Sequence, residues 1–393
     1  MKIYIDHAAT TPCDKQVVEA MIPYFTDAFG NADSQHFFGR ETAKAVADAR
    51  QSIAQNIGCK PNELYFTASG TESDNWALKG VALRRKSKGN HVIVSCIEHH
   101  AVLSSAQWLE KQGFKVTYLP VDSQGIVQPA ELEKVIDDQT ILVSVMYVNN
   151  EVGTIQPIAE LAQIAHKHGA VFHSDCVQAM PYINVDVNQL GADLVSFSAH
   201  KFYGPKGVGA LYIKNGLKID KLVCGGGQER SQRGGTSNTP AIVGMAKALE
   251  IAKAEMQQNN QHIQVLCNHF VERVEKEIPF VRYNGNKQRC VPSIANFSFE
   301  FVEGEGILML MDFNGIAVSS GSACSSGSLD PSHVLLAMGV PIEVSHGSIR
   351  FSFGKHNTME EVDYTVDKLK ETIARLREMS PLFNAKTGGT YNV

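Results

Sequence analysis

Short apolar runs alternate with segments of helical spacing through the middle of the chain. The runs have the length of buried strands, and the segments between them place apolar residues three and four positions apart. This βαβ alternation predicts an α/β fold with a mostly parallel sheet covered by helices on both faces. The predicted strands are residues 64–67, 91–95, 115–119, 140–147, 170–173, 193–197 and 208–213. The predicted helices between them are residues 71–83, 102–112, 129–136 and 157–168.

The pattern differs on both sides of this region. Before it we predict a strand at 2–5 and helices at 16–25 and 41–57, the second ending at Gly58. After it we predict helices at 239–257, with Thr239 as N-cap, and at 260–277. The remaining predicted elements are strands near 293–301 and 348–353 and helices at 304–312 and 358–379. We therefore expect a large domain of residues 15–258 and a small α+β domain of residues 1–14 and 259–393.

Composition narrows the classes of function. The chain has 393 residues and a net charge of −5, which favours neither nucleic acid nor an anionic membrane as a partner. It shows neither a long apolar segment nor a signal-peptide pattern, so we expect a cytoplasmic protein. Its eight cysteines form no CxxC pair, which is typical of reduced thiols and gives no indication of a metal site.

Lys201 follows the predicted strand 193–197, beside His200 and small hydroxyl residues. A lysine at such a place can lose solvation, which lowers its pKa and allows the neutral amine to form a Schiff base. The alternative is an ordinary lysine that leaves the strand end for solvent. The stretch alone does not decide between the two.

Other strand ends carry further candidates, each with a structural alternative. Gly70 and Thr71 begin a helix whose free amides suit a phosphate, although Thr71 also suits a simple N-cap. Asp175 needs a cationic partner, which a protonated pyridine nitrogen or a helix N-terminus can supply. His99 is suited to stacking on a flat ring or to a hydrogen bond within its loop. Asn150 is suited to a ring hydroxyl or to a turn.

Two further residues lie in the predicted small domain. Cys324 is the one cysteine in a ten-residue stretch of Ser, Gly and Ala, where an exposed thiol is a chemical hazard unless it is used. Arg350 lies on an alternating strand, which suits either bidentate binding of a carboxylate or a structural ion pair.

Together these motifs resemble the cysteine desulfurases of the NifS/IscS type, in order and along nearly the whole chain. That family consists of homodimeric fold-type I enzymes that use pyridoxal 5′-phosphate (PLP) and split L-cysteine into L-alanine and a persulfide sulfur. The motifs that carry the resemblance are residues 70–75, 98–99, 149–151, 173–178, 196–209, 225–227, 319–324 and 348–351.

The resemblance implies a role for each candidate. Lys201 would hold PLP as a Schiff base, Asp175 would pair with the pyridinium nitrogen, and Cys324 would take the sulfur. His99 would stack on the ring and transfer protons. The residues expected near the ring hydroxyl are Asn150 and Gln178. Those expected at the phosphate are Gly70, Thr71, Ser198, His200 and, from the second subunit, Thr236. Those expected at the substrate carboxylate are Arg350 and Asn31.

The family implies a sulfur acceptor as a further partner, such as an iron–sulfur scaffold protein or a tRNA-thiolation enzyme. The chain departs from the family pattern at Ala32, where proline is usual after Asn31, and at Cys176, where alanine or another small residue is usual. Two other functions compete with the desulfurase. One is a related PLP enzyme such as a selenocysteine lyase or an aminotransferase; the other is a non-catalytic sulfur-delivery scaffold.

Overall fold

The computed structural model describes residues 2–320 and 331–383. The chain forms a mixed α/β structure, which confirms the predicted fold class. Its strands are β1 (Ile3–Tyr4), β2 (Leu64–Thr67), β3 (His91–Ser95), β4 (Lys115–Leu119), β5 (Thr140–Ser144), β6 (Val171–Asp175), β7 (Leu194–Ser198), β8 (Gly209–Ile213), β9 (Val281–Asn284), β10 (Ile294–Phe299), β11 (Ile316–Ala317) and β12 (Ser348–Ser352). Its helices are α1 (Lys15–Met21), α2 (Pro23–Thr26), α3 (Phe37–Ile57), α4 (Gly70–Arg85), α5 (His100–Lys111), α6 (Pro129–Val135), α7 (Ile158–Lys167), α8 (Val187–Leu190), α9 (Gln228–Ser231), α10 (Thr239–Glu277), α11 (Gly304–Phe313), α12 (His333–Ala337), α13 (Ile342–Ser345) and α14 (Met359–Glu378).

The main sheet has seven strands in the order β2-β8-β7-β6-β5-β3-β4. Within it β8 is antiparallel to both of its neighbours, so the other six strands share one direction. Alternate residues of each strand enter different apolar cores: Val92 and Val94 pack with α4 and α5, whereas Ile93 packs on the opposite face. The sheet is therefore covered on both faces, and the carboxyl ends of six strands meet at one edge.

A second apolar core lies on two small sheets. One sheet has the antiparallel order β12-β10-β9, and the other pairs β1 with β11 in parallel. Phe270, on the second half of α10, packs against Phe351 and Phe353 at ring distances of 4.6 and 5.3 Å. Ile3 and Ile5 belong to the same core, so the N-terminal residues join elements from the far end of the chain.

The largest differences from the predicted elements concern helices. The helices predicted at 239–257 and 260–277 are one continuous helix of 39 residues, α10. Its N-cap is Asn238, one residue before the predicted Thr239, because the Asn238 side chain accepts from the Ala241 amide. Helix α3 begins at Phe37, four residues before the predicted start at residue 41. Helix α10 crosses the expected domain boundary between residues 258 and 259 without a break, so the helix itself marks no boundary there. The domain limits stay a prediction.

The cysteines within the described part of the chain, seven in number, are all free thiols. Cys324 lies outside the described residues. In residues 2–320 and 331–383, no helix has the length and apolar character needed to cross a bilayer, and no cluster of His, Cys, Asp and Glu side chains has the makings of a metal site.

Candidate active site

A cavity of about 520 Å³ lies at the edge where the carboxyl ends of the parallel strands meet. Strand β12 of the small antiparallel sheet and the turn after β1 also contribute residues to its wall. Ten of the residues predicted to act on cofactor or substrate line it: Gly70, Thr71, His99, Asn150, Asp175, Gln178, Ser198, His200, Lys201 and Arg350. Residues from five separate strand ends and from the small sheet therefore converge on one volume.

Lys201 lies at the end of a short 3-10 turn, Ala199–Lys201, which directly follows β7. Its Nζ donates hydrogen bonds to the carbonyl oxygens of Ala8 and Ala9, the second at 2.9 Å. The amine thus faces the cavity-lining turn after β1 and not bulk solvent, which disfavours the reading of Lys201 as an ordinary surface lysine.

The first turn of α4 forms another wall of the cavity. Ser69 is its N-cap, and its hydroxyl accepts from the Glu72 amide at 3.1 Å. A Cβ at Gly70 would lie 2.8 Å from Cγ2 of Val177. Only glycine therefore lets the start of α4 approach the loop after Asp175 this closely. The start of a 16-residue helix, with its unpaired amides and positive dipole end, lies beside the cavity.

Asp175 and Asp74 are two buried carboxyl groups in the wall of the cavity. Asp175 accepts from the Val177 amide at 2.8 Å. Burial raises the pKa of Asp175, whereas this hydrogen bond and the charge of Lys201 oppose that shift. Burial also raises the pKa of Asp74, and the nearby Asp175 charge raises it further. Because two adjacent buried carboxylates repel each other, we expect Asp74 to be the neutral member of the pair.

Two histidines line the cavity, and burial disfavours the charged form of both. Nδ1 of His99 accepts from the Ala101 amide at 3.1 Å, since His99 is the N-cap of α5. Burial, and then the charge of Lys201, lower the pKa of His99 to about 4. Burial and the same charge lower the pKa of His200 to about 4 as well. His200 is held by the hydroxyl of Thr10 at 3.1 Å.

Arg350 connects the small sheet to the cavity. Its guanidinium contacts Oδ1 of Asp6 at 3.0 Å and donates to the Asn150 carbonyl at 2.9 Å. Its Nε is buried and has no hydrogen-bond partner among residues 2–320 and 331–383. The sequence left a carboxylate site and a structural ion pair as alternatives, and Arg350 forms an ion pair while keeping one donor unused. Gln178, also predicted for this cavity, donates to the Ala8 carbonyl at 2.8 Å.

Three predicted residues are not part of this lining. Thr236 lies in a separate depression of about 170 Å³, which shares Gly207 with the main cavity. Asn31 lies in the loop before α3, where its side chain accepts from the Asp33 amide at 3.0 Å. Cys324 is outside the described residues. The roles of these residues stay predictions.

Sequence reasoning missed several residues of the cavity. Asp74 and Lys206 line it and lie within motifs that were recognised, but nothing in their local sequence singled them out. The carbonyls of Ala8 and Ala9 had no local signal either, since they are 193 and 192 residues away from Lys201. The ion-pair partner of Arg350, Asp6, lies 344 residues away.

The sequence profile of the aminotransferase class-V family matches residues 3–365. This chain belongs to that family. A cysteine desulfurase IscS of Dictyoglomus turgidum is 52% identical over 380 residues, which cover 97% of this chain and 96% of the relative. A cysteine desulfurase IscS of Methanosarcina thermophila is 50% identical over 380 residues, covering 97% and 94% of the two chains. The predicted resemblance to the NifS/IscS-type cysteine desulfurases is therefore confirmed.

Solved structures agree with this assignment. That of a NifS-like protein superimposes with a TM-score of 0.90 at 40% identity and covers 96% of this chain and 100% of its own. That of SspA in complex with cysteine gives a TM-score of 0.80 at 35% identity, covering 91% and 100%. These neighbours place this class-V chain among proteins with the same arrangement of sheets and helices.

Proposed function

We propose that this protein is a cysteine desulfurase that uses PLP to convert L-cysteine into L-alanine and a sulfur atom bound to Cys324. The observation that carries the proposal is the convergence of Lys201, Asp175, His99 and the start of α4 on one cavity. The desulfurase relatives at about half identity over nearly the whole chain support the same conclusion.

The residues of the cavity fit PLP. The half-buried primary amine of Lys201 lines the cavity and would react with the aldehyde, and the start of α4 together with Ser198 and His200 suits a phosphate. Asp175 is buried, and a protonated pyridine nitrogen beside it would compensate for the hydration that its carboxylate has lost. When bound, PLP supplies an electron sink that labilises the bonds at the substrate Cα. The volume of about 520 Å³ is within the usual range for cofactor sites.

Arg350 would bind the substrate carboxylate through its guanidinium group, which lines the cavity. Its contacts with Asp6 and Asn150 hold the guanidinium in place beforehand, so little of its conformational freedom would be lost on binding. Burial keeps the His99 ring uncharged near physiological pH, because it lowers the pKa of His99 to about 4. Since Nδ1 accepts from the Ala101 amide, the ring would present its Nε2–H to the cofactor and substrate, and it would transfer protons through that nitrogen.

The Cys324 thiol would take the sulfur atom. The Cβ–S bond of L-cysteine breaks and an S–S bond forms, so the substrate leaves as alanine and Cys324 becomes a persulfide. The proton of the Cys324 thiol has to leave first, since the thiolate is the nucleophile. Exchange with a thiol of an acceptor protein, such as an iron–sulfur scaffold or a tRNA-thiolation enzyme, would then pass the sulfur on. This chemistry belongs in a reducing compartment, in keeping with the expected cytoplasmic location.

A homodimer is part of this proposal, with Thr236 completing the phosphate site of the second subunit. An exposed aromatic cluster supports an association of two copies: Phe25, Phe29 and Phe37 are each 63% exposed. The Phe29 and Phe37 rings lie 5.3 and 4.1 Å from Phe38. Such a cluster is unusual on the free surface of a monomer.

Replacement of Lys201 tests the proposal. The purified protein should absorb visible light and form alanine from L-cysteine, and Lys201→Ala should lose both because it lacks the amine that would hold the cofactor. Lys206→Ala is the matched control, since this lysine lines the same cavity and should keep the visible absorbance. A Lys201→Ala protein with unchanged absorbance and alanine formation would contradict the proposal.

A further inference from the structure

The loop of residues 225–236 contains the most unusual backbone of the described chain. Glu229, Arg230 and Ser231 have φ angles of 44°, 56° and 63°. Residues other than glycine rarely adopt this left-handed backbone conformation, and three such residues in succession are energetically unfavourable. Strain of this kind persists only where the surroundings enforce it, and it is concentrated at functional sites.

The Glu229 carboxylate is the main contact that enforces the strain. It accepts two hydrogen bonds from the Arg50 guanidinium, at 2.7 and 2.8 Å, and a third from the Phe66 amide at 2.9 Å. The side chain is only 6% exposed. The Arg50 guanidinium also lies over the Phe66 ring at 4.5 Å. The pair thus fastens the loop to α3 and to strand β2.

Two arginines of the loop add further contacts. Arg230 stacks over the Tyr65 ring at 4.1 Å and donates to the Leu64 carbonyl at 2.8 Å. Arg233 donates two hydrogen bonds to Glu72, at 2.8 and 3.0 Å, and Glu72 also accepts from the Ala68 amide. Glu72 lies in the first turn of α4, the element assigned above to the cofactor phosphate.

We propose that Glu229 is a positioning residue, whose pairing with Arg50 holds loop 225–236 in the one conformation that presents Thr236 to the cofactor phosphate of a second copy. The inference rests on the proposed function, because it takes the cofactor and the dimer from there. Glu229 touches neither group in its own subunit and acts through the loop. Without the Arg50 contact, the left-handed residues relax and Thr236 moves away from its target.

The test uses the full-length holoenzyme and measures the rate at which PLP is lost on dilution, from the decay of visible absorbance. Thr236→Ala should speed this loss about tenfold, the effect of one hydrogen bond to a charged group. Glu229→Ala should speed it by a similar factor. The double variant should lose PLP no faster than Thr236→Ala alone, because both changes remove the same contact.

Glu277→Gln is the matched control. Glu277 also accepts two hydrogen bonds from an arginine, Arg273, but on α10 away from the loop, and it should leave the rate of PLP loss unchanged. If Glu229→Ala does not fold, Glu229→Gln keeps an acceptor for the Phe66 amide and should give an intermediate rate of loss. A purely structural role for Glu229 would lower thermal stability without coupling to Thr236.

The outcomes separate this inference from the proposed function. A wild-type protein that neither binds PLP nor forms alanine from cysteine would refute the function itself. A wild-type protein that does both, combined with Glu229 variants that retain PLP as wild type does, would overturn the inference alone. Additive effects in the double variant, or a Thr236→Ala protein with the wild-type rate of loss, would overturn it as well.

Discussion

Replacing Arg350 with lysine keeps a positive charge beside the cavity but removes the planar fork of three nitrogens. The guanidinium uses two of them on Asp6 and Asn150 and leaves Nε unused. Its side chain is only 4% exposed, so a lost contact would leave a largely buried polar group without its partner, which costs free energy. A lysine ammonium placed against Asp6 cannot hold the Asn150 carbonyl and a substrate carboxylate in the same geometry.

The size of the effect follows from this count of contacts. One hydrogen bond between charged groups contributes about 1.5–3 kcal/mol, which corresponds to about 10- to 150-fold in an equilibrium constant. We therefore expect Arg350→Lys to lower kcat/KM for L-cysteine by about this factor. PLP binding should be unchanged, since Arg350 is expected at the carboxylate and not at the cofactor.

Binding of two ligands measures the carboxylate contact directly. The change in cofactor absorbance gives Kd for L-cysteine and for L-cysteine methyl ester, which lacks the charged carboxylate. The wild type should prefer the acid, and Arg350→Lys should bind both ligands about equally. Arg273→Lys, which changes an arginine paired with carboxylates on α10, should behave as wild type. If Arg350→Lys weakens the acid and the ester by the same factor, Arg350 does not bind the substrate carboxylate.

Two further substitutions test other parts of the site. Cys324→Ala should retain PLP and still change its absorbance with L-cysteine, but it should form no persulfide and little alanine; normal alanine formation would direct attention to Cys176, the buried thiol beside Asp175. Glu98→Gln tests a buried carboxyl, since burial raises the pKa of Glu98 from 4.5 to about 8. The folded state holds this proton more tightly than the unfolded state, so the free energy of unfolding has its full contribution from Glu98 below pH 4.5 and loses it as the pH rises through 8. Urea midpoints of the wild type should therefore fall between pH 5 and pH 8 by more than those of Glu98→Gln, and equal slopes would contradict the burial argument.

Local pattern predicted most elements of the sheet. Strands β2, β3 and β4 have the bounds that were expected, because short apolar runs between polar turns carry their own signal. Helix α14, predicted at 358–379, begins at Met359, where Thr358 and Glu361 form a capping box. The continuity of α10 had no such signal. Residues of its first half enter one core and those of its second half another, so packing on both sides maintains a helix across a polar stretch near Asn260.

The candidate site could be predicted where its residues lie in short, recognisable sequence motifs. Lys201 and His99 follow strands and Asp175 ends one, and the shared direction of these strands brings the three residues together. Contacts between segments that are distant along the chain have no local sequence motif that would predict them. The Asp6–Arg350 and Arg50–Glu229 pairs join residues 344 and 179 positions apart. Arg350 was predicted from its alternating strand, but the sequence around Asp6, Arg50 and Glu229 marks none of these three as a site residue.

The distance along the chain between Asp6 and Arg350 also affects how the protein is made. A ribosome that adds about 5–20 residues per second synthesises Arg350 roughly 20–70 s after Asp6. During this interval all seven strands of the main sheet emerge, whereas Ile3 and Ile5 wait for β11 and β12. The strand ends that carry Lys201, Asp175 and His99 are therefore synthesised before Arg350, the cavity residue of the small sheet. A fusion that obstructs residues 2–6 should accordingly impair the late packing of β1 against β11 and not the formation of the main sheet.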